Sequence, residues 1–408
     1  MRIAVIGGGA AGLMGALTAA KAGGDRVHID LYESGDEVGR KILASGNGRC
    51  NISNKDLSYH HFHGLDPAFV QPALKRFGFD DFRRFCESIG LLLQVREDGR
   101  AYPLGNEARS VQRALKRAVE RAGVQVVTET PVSSLRREGG TFTLPTPAGP
   151  KRYDRILVAT GSPAAPQLGG TAGGLELAAS LGHTLIPSYP ALVGLHLKER
   201  RHERMQGVKT VAALTLYIDG RAGKKVTGDL LFTRYGMSGF GVLDISTEAS
   251  EALVTGRDVK VGADLLPELG RQEITAVLTR FAKAFSQTPV SEVLEGLLPH
   301  KIARTLCQSL GLDPSLPAGR LTPKEIRSLG ARVKDWRFGV VETHGYRHAE
   351  AAGGGVHCLE VDSRTMASKK VEGLYFAGEV LDIVGERGGY NLHFAWASGY
   401  LAGLALVK

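Results

Sequence analysis

The chain has 408 residues, 43% hydrophobic and 23% charged, a globular balance in a length too great for one compact core, so two or three domains are expected. No window reaches the roughly 18 uninterrupted apolar residues of a membrane span. Cys50, Cys86, Cys307 and Cys358 are scattered without C-x-x-C spacing, which excludes a disulfide scaffold and leaves no metal expected, and a net charge of +9 is compatible with a polyanionic partner.

The first element is the apolar run Ile3 to Ile6, followed by Gly7-Gly8-Gly9-Ala10-Ala11-Gly12 and a helix-like segment to Ala22. Strand, tight turn and helix form the context in which G-x-G-x-x-G marks a dinucleotide site. Gly7 suits the sharp turn, Gly9 the close approach of a pyrophosphate, and Gly12 the packing of helix on strand. Ala10 and Ala11 begin a helix whose free N–H groups and positive dipole end favour phosphate. The next apolar run, Val27 to Tyr32, ends at Glu33 and Ser34. Glu33 lies close to the roughly 20-residue spacing expected of the acid that holds an adenosine ribose. A core strand, not a signal peptide, is read at the N-terminus, and a cytoplasmic protein is expected.

The stretch from Gly39 to Asn54 is rich in glycine, cations and short polar side chains, and reads as a loop outside the core. Gly39, Arg40, Lys41, Ser45, Gly46, Asn47, Cys50 and Asn51 are expected to meet a diphosphate or an isoalloxazine ring with backbone N–H groups and positive charge. Two helical segments follow between Asp66 and Gly123. In the second, Arg109, Arg113, Arg117 and Arg121 share one face opposite Val111, Leu115 and Ala118, a solvated face first and a polyanion contact second. A strand over Val124 to Thr128, with Val132 beyond it as a further cofactor contact, precedes a β-like segment at Thr141 to Leu144. The apolar run from Arg155 then ends in Ala159-Thr160-Gly161, a turn that recurs close to the cofactor in flavoproteins with two dinucleotide sites.

From Ala191 to Gly262 short alternating runs (Val211 to Ile218, Val226, Leu230 to Thr233, Val242 to Ile245) read as a β-rich insert. Helical period follows in Leu269 to Phe285 and in Val293 to Leu306, and Thr322-Pro323-Lys324-Glu325 is a capping box with proline in the first turn. After a strand-like Val333 to Glu342 the chain returns through Gly353 to Val356 and Gly373 to Glu379. Gly378 and Glu379 are expected at a ribityl or ribose hydroxyl. Gly389, Tyr390, Asn391 and Leu392 open the last helix, whose N-terminus favours the negative charge that develops on a reduced flavin. Gly169 to Gly174 has glycines but no strand before it, so no second fingerprint for a nicotinamide cofactor is read.

Gly39 to Leu43 with Ser45 to Asn51, Leu231-Phe232-Thr233 with Ser238-Gly239, Thr365 to Lys369, and Gly373 to Glu379 with Gly388 to Leu392 resemble the BaiN/RdsA-type FAD-dependent oxidoreductases, along the whole chain. The resemblance implies a doubly wound, Rossmann-like α/β FAD-binding domain over 1–190 and 345–408. It also implies a β-barrel insert over 191–262 and 319–344 and a small helical subdomain over 263–318. It implies NADH or NADPH as transient reductant and reduction of a conjugated C=C, in a uridine of large-subunit ribosomal RNA or in a steroid-like enone. A flavin-bearing redox or binding protein without turnover is the remaining class. Ala351-Ala352, Phe240 and His393 depart from the family pattern, on what is expected to be the substrate side.

Two expectations go further. Hydride addition needs a proton donor, and Cys50, beside Arg49, is read as a near-neutral thiol for that role, with His344, Tyr346 and Tyr390 as alternatives. For an RNA substrate the Arg109 to Arg121 face, Lys198, Arg200, Arg201, Arg204, Lys224, Lys225, Arg332, Lys334 and Arg337 supply cations, and Tyr235, Phe240 or Trp336 would stack on an unstacked base. The oligomeric state is left open.

Overall fold

The computed structural model describes every residue except Ala148. The chain forms two compact units, Met1–Tyr189 with Glu350–Lys408, and Pro190–Ala349. The first is built on a five-stranded parallel sheet. Arg2–Ile6 pairs with His28–Tyr32 on one side (Arg2 opposite His28) and with Arg155–Val158 on the other (Ile3 opposite Arg155). Gln125–Val127 and Leu374–Phe376 complete its edges. Ile3, Ala4, Val5, Ile156, Leu157 and Val158 are fully buried, as continuous apolar runs are in a sheet covered on both faces.

Two helices dominate one face of this sheet, Ala10–Gly23 and the last helix, Tyr390–Ala405. They approach backbone to backbone: a Cβ at Gly399 would lie 2.4 Å from the Ala11 carbonyl oxygen, and one at Gly403 would lie 2.6 Å from that of Gly15. The close crossing buries Phe394, Trp396 and Leu401. It also buries His393 completely, with its Nε2 3.0 Å from the Phe77 carbonyl and its Nδ1 2.8 Å from the Ser53 hydroxyl. A carbonyl only accepts, so Nε2 carries the proton and Nδ1 accepts from Ser53. His393 is thus a core residue of the first unit and not the substrate-side group expected.

In the second unit six antiparallel strands close into a barrel in the order Leu195–Leu197, Gly236–Ser238, Arg221–Phe232, Lys209–Ile218, Val259–Asp264, Trp336–Thr343, with Leu195 opposite Thr343 at the closure. Val242 to Ile245, expected as a strand, is instead part of the helix Phe240–Val254. Val242, Ile245, Ala249 and Ala252 are its buried face, spaced by three and four, a period that four residues alone do not separate from alternation. The periodic run Val293 to Leu306 is two helices, Val290–Glu295 and His300–Ser309, separated at Pro299. Thr322 and Glu325 form the expected reciprocal cap, with the Thr322 hydroxyl accepting from Glu325 N–H at 3.2 Å and Glu325 Oε2 accepting from Thr322 N–H at 2.7 Å. Barrel and helices share one core, in which Phe232, Val261 and Phe338 join Ile274, Ile302 and Leu329. No helix among the described residues is long and apolar enough to cross a membrane.

Candidate functional site

The strands Arg2–Ile6 and Arg155–Val158 are neighbours whose connections leave in opposite directions, the arrangement that opens a crevice at the strand ends. A cavity of about 450 Å³ lies there, floored by Ile6, Gly7, Ala159 and Thr160. The three fingerprint glycines divide their work in the way the spacing implies. Gly7 has φ +106° and a Cβ there would lie 2.4 Å from the Ala159 carbonyl oxygen; a Cβ at Gly12 would lie 1.8 Å from the Gly7 oxygen. A Cβ at Gly9 would meet nothing within 4 Å, because Gly9 forms the cavity wall. The helix that begins after Gly9 has no side-chain cap and no acid in its first turn, so its N–H groups remain for an anion.

Two ion pairs brace the walls. Glu33 accepts from Gly8 N–H at 2.9 Å and from Gly35 N–H at 2.8 Å, with the Arg40 guanidinium 3.5 Å away. Arg40 is pressed so close to Gly35 and Gly169 that a Cβ at either would come within 2.2 and 2.4 Å of it. Lys41 Nζ is 3.2 Å from Glu379 Oε2, whose Oε1 accepts the Ala352 N–H at 2.9 Å. The departure at Ala351-Ala352 therefore sits behind the cavity acid. The Thr160 hydroxyl is buried and without a hydrogen-bond partner among the described residues, and Thr160 lines the cavity. Buried polar atoms are nearly always partnered, and the polar groups of a bound FAD are of the kind that would satisfy this hydroxyl, so the residues fit that cofactor.

The HI0933-like protein Rossmann domain model matches residues 1–405. The chain belongs to the HI0933-like family. It is 35% identical over 407 residues to the 3-dehydro-bile acid delta(4,6)-reductase of Clostridium scindens, covering 100% of this chain and 99% of the relative. It is 31% identical to the ribosomal RNA dihydrouridine synthases of Haemophilus influenzae, over 99% of this chain and 98% of the relative, and of Escherichia coli, over 99% and 97%. The implied FAD-binding oxidoreductase, an enzyme with a Rossmann-type domain, is thereby established at the level of the family.

On this HI0933-like frame the cavity gathers Gly7, Gly9, Ala10, Ala11, Glu33, Ser34, Gly39, Arg40, Lys41, Ser45, Val132, Ala159, Thr160, Gly161, Gly378, Glu379, Asn391 and Leu392. Gly12 is packing beneath it. Gly46 and Asn47 are exposed, and Asn51, Gly389 and Tyr390 stand outside its lining. Tyr390 stacks on His61 at 4.3 Å, and burial, with Asp56 and Glu386 near it, pushes its phenol up to about 12. Sequence reasoning missed Thr130, Pro131 and Ser133, and the segment from Leu168 to Glu176, which runs into the helix Gly173–Ser180. The signal in that segment is its glycines: a Cβ at Gly174 would lie 1.8 Å from the Thr160 hydroxyl oxygen.

The loop after Gly39 is not wholly solvated. Arg40–Ala44 makes a short helix, and Ile42, Cys50 and Ile52 turn into the core. Burial pushes the Cys50 thiol up to about 11 against the opposing hydrogen bond from Ser45, so the fold does not build the near-neutral thiol expected there. Being raised, the thiol stays protonated at every pH below its own value. Cys50→Ala is accordingly expected to leave the turnover–pH profile unchanged from about pH 6 to about pH 9 and to cost about 1 kcal/mol of stability through the small void; a profile that loses a limb in this variant would restore Cys50 as the donor. His344 lies in the second unit, between Tyr235 at 3.7 Å and His348 at 4.0 Å, its Nδ1 2.9 Å from His196 Nε2. Burial, with His348 and His196 beside it, lowers its pKa.

The expected cations divide into two groups. Arg109, Arg113, Arg117 and Arg121 are exposed on the helix Ala108–Arg121. Several others are neutralised internally: Arg200 by Glu203 at 2.9 Å, Arg337 by Asp335 at 2.9 Å, and Lys334 by Asp264 at 2.6 Å while it also donates to the Leu266 and Leu269 carbonyls. Trp336 is 1% exposed and has no face to offer a base, which corrects its expected stacking role. Phe240 is 48% exposed.

Proposed function

We propose that this chain uses NADH or NADPH and FAD to reduce a C=C bond conjugated to a carbonyl, and that the bond belongs to a uridine of large-subunit ribosomal RNA, which becomes dihydrouridine. The observation that carries the flavin part of the reading is the cavity wall, where Gly9 leaves room for a pyrophosphate and the buried Thr160 hydroxyl has no partner of its own among the described residues. When bound, FAD would supply hydride chemistry between the nicotinamide and the electron-poor carbon of the double bond, whose other carbon takes a proton. The chain's own residues do the holding. N–H groups at the start of the helix Ala10–Gly23 would face the diphosphate, Glu33 would take a ribose hydroxyl, and the paired Lys41 and Glu379 would offer a donor and an acceptor to a polar group beside them. The last helix begins at Gly389 without a side-chain cap or an acidic first turn, which favours negative charge near it.

Glu33→Ala is expected to weaken FAD binding about tenfold, roughly 1.4 kcal/mol, because it removes the ribose contact and also frees the Gly8 and Gly35 N–H groups. Fluorescence titration of apoprotein with FAD checks this, and an unchanged dissociation constant would remove Glu33 from the site.

Support for RNA comes from the two relatives named as dihydrouridine synthases and from the arginine face Arg109 to Arg121. Such a substrate places the working protein in the cytoplasm. The relative named as a bile acid reductase, at 35% identity, favours a second reading, a steroid-type enone. NADPH oxidation driven by a ribosomal RNA fragment but not by a steroid dienone supports the first; the reverse supports the second.

A further inference from the structure

The second unit carries a groove whose lining shares no residue with the cavity of the first. The helices Arg271–Ala284 and Pro323–Lys334 pack on each other, so closely that a Cβ at Gly330 would stand 3.0 Å from the Thr275 hydroxyl oxygen. Beside that contact lies a groove of about 850 Å³ lined by Arg271, Arg280, Lys283 and Arg327, together with Thr275 and Thr279. Its lining has four cations and no carboxylate. All four are exposed, and none forms an ion pair among the described residues. Elsewhere on this unit surface cations find acids: Lys209 with Asp229, Arg257 with Asp219, Lys260 with Asp258. A cluster left without acids repels itself, and a polyanion relieves that repulsion.

The geometry favours a rod-like polyanion. Arg271 and Lys283 are on one helix, about 18 Å apart along its axis, a length over which a nucleic-acid strand presents several phosphates. Both threonine hydroxyls already donate inside the helix, Thr275 to the Arg271 carbonyl and Thr279 to the Thr275 carbonyl, so the cations carry the recognition. No large apolar side chain lines the groove to enter a lipid surface. We propose that this groove seats the phosphate backbone of the RNA substrate, an inference that rests on the RNA reading. Interactions of this kind hold and orient RNA without reading its bases.

The test is a triple variant, Arg280→Glu, Lys283→Glu and Arg327→Glu, with the glutamine triple as a milder second. FAD content and circular dichroism serve as folding controls. Binding to a fluorescent large-subunit ribosomal RNA fragment is measured across a salt series. The proposal expects the wild type to lose affinity steeply with salt, and the variant to bind at least about tenfold more weakly at low salt. Its plot of log K against log salt should be shallower by roughly 0.7 to 0.9 for each phosphate that the variant no longer neutralises. Wild-type affinity and slope in both variants would overturn the groove while leaving the RNA reading intact. So would wild-type binding to anionic phospholipid vesicles or poly-glutamate as tight as to RNA. A wild type that neither binds RNA nor forms dihydrouridine would instead overturn the reading on which the groove depends.

Discussion

Gly12→Ala is expected to give colourless protein that unfolds several degrees below the wild type. The new Cβ would lie 1.8 Å from the Gly7 carbonyl oxygen, a backbone atom that cannot rotate away, so the helix must lift from the strand. Such overpacking against main chain costs about 3 kcal/mol, and it displaces the turn on which every phosphate interaction depends. Gly9→Val separates fold from cofactor. Its Cβ meets nothing within 4 Å, so the variant should melt like the apoprotein of the wild type, yet its side chain fills the cavity and should weaken FAD binding by about two orders of magnitude, ~2.7 kcal/mol. Flavin absorbance and thermal unfolding of both variants check this. A yellow Gly12→Ala protein with wild-type unfolding would show that the fingerprint is packed differently.

The second large effect is on acid stability. His393 is fully buried and neutral, and burial lowers its pKa to about 4, opposed by its hydrogen bond to the Phe77 carbonyl. The unfolded chain, with an ordinary histidine near about 6.5, therefore binds a proton before the folded one does. The penalty begins as pH falls below about 6.5 and is complete at about 4, and the stability missing at that point is about 3 kcal/mol. Above about pH 7 the group makes no pH-dependent contribution. His393→Phe leaves the Ser53 hydroxyl and the Phe77 carbonyl without their ring partner, so it should be less stable throughout but should lack this share of the slope. Denaturant unfolding of both proteins at about pH 4.5 and about pH 7 measures the difference, and parallel losses in the two would count against a neutral buried His393.

The start of the chain is legible in sequence because its requirements are local: the turn at Gly7, the spacing to Glu33 and the apolar strands can be read from neighbouring residues. The same holds for the Thr322 to Glu325 cap. What sequence does not show is set by tertiary burial. Cys50 and His393 read as loop and site residues, and Trp336 as a ring free to stack, because polar or glycine-rich neighbours conceal that each points into a core. Val242 to Ile245 misleads because so short a run fits either period. The segment from Leu168 to Glu176 has no preceding strand to mark it, and reaches the cavity by packing Gly169 on Arg40 and Gly174 on Thr160.

Mass spectrometry of large-subunit ribosomal RNA decides whether a uridine is the substrate. RNA from a strain lacking this chain is compared with RNA from its parent, and the deletion RNA is then incubated with the purified flavoprotein and NADPH. A uridine reductase leaves one dihydrouridine of the parent as uridine in the deletion strain, and that base regains two hydrogens on incubation. Identical dihydrouridine content in both strains, with no mass change on incubation, would contradict this and leave a reductase of small conjugated ketones.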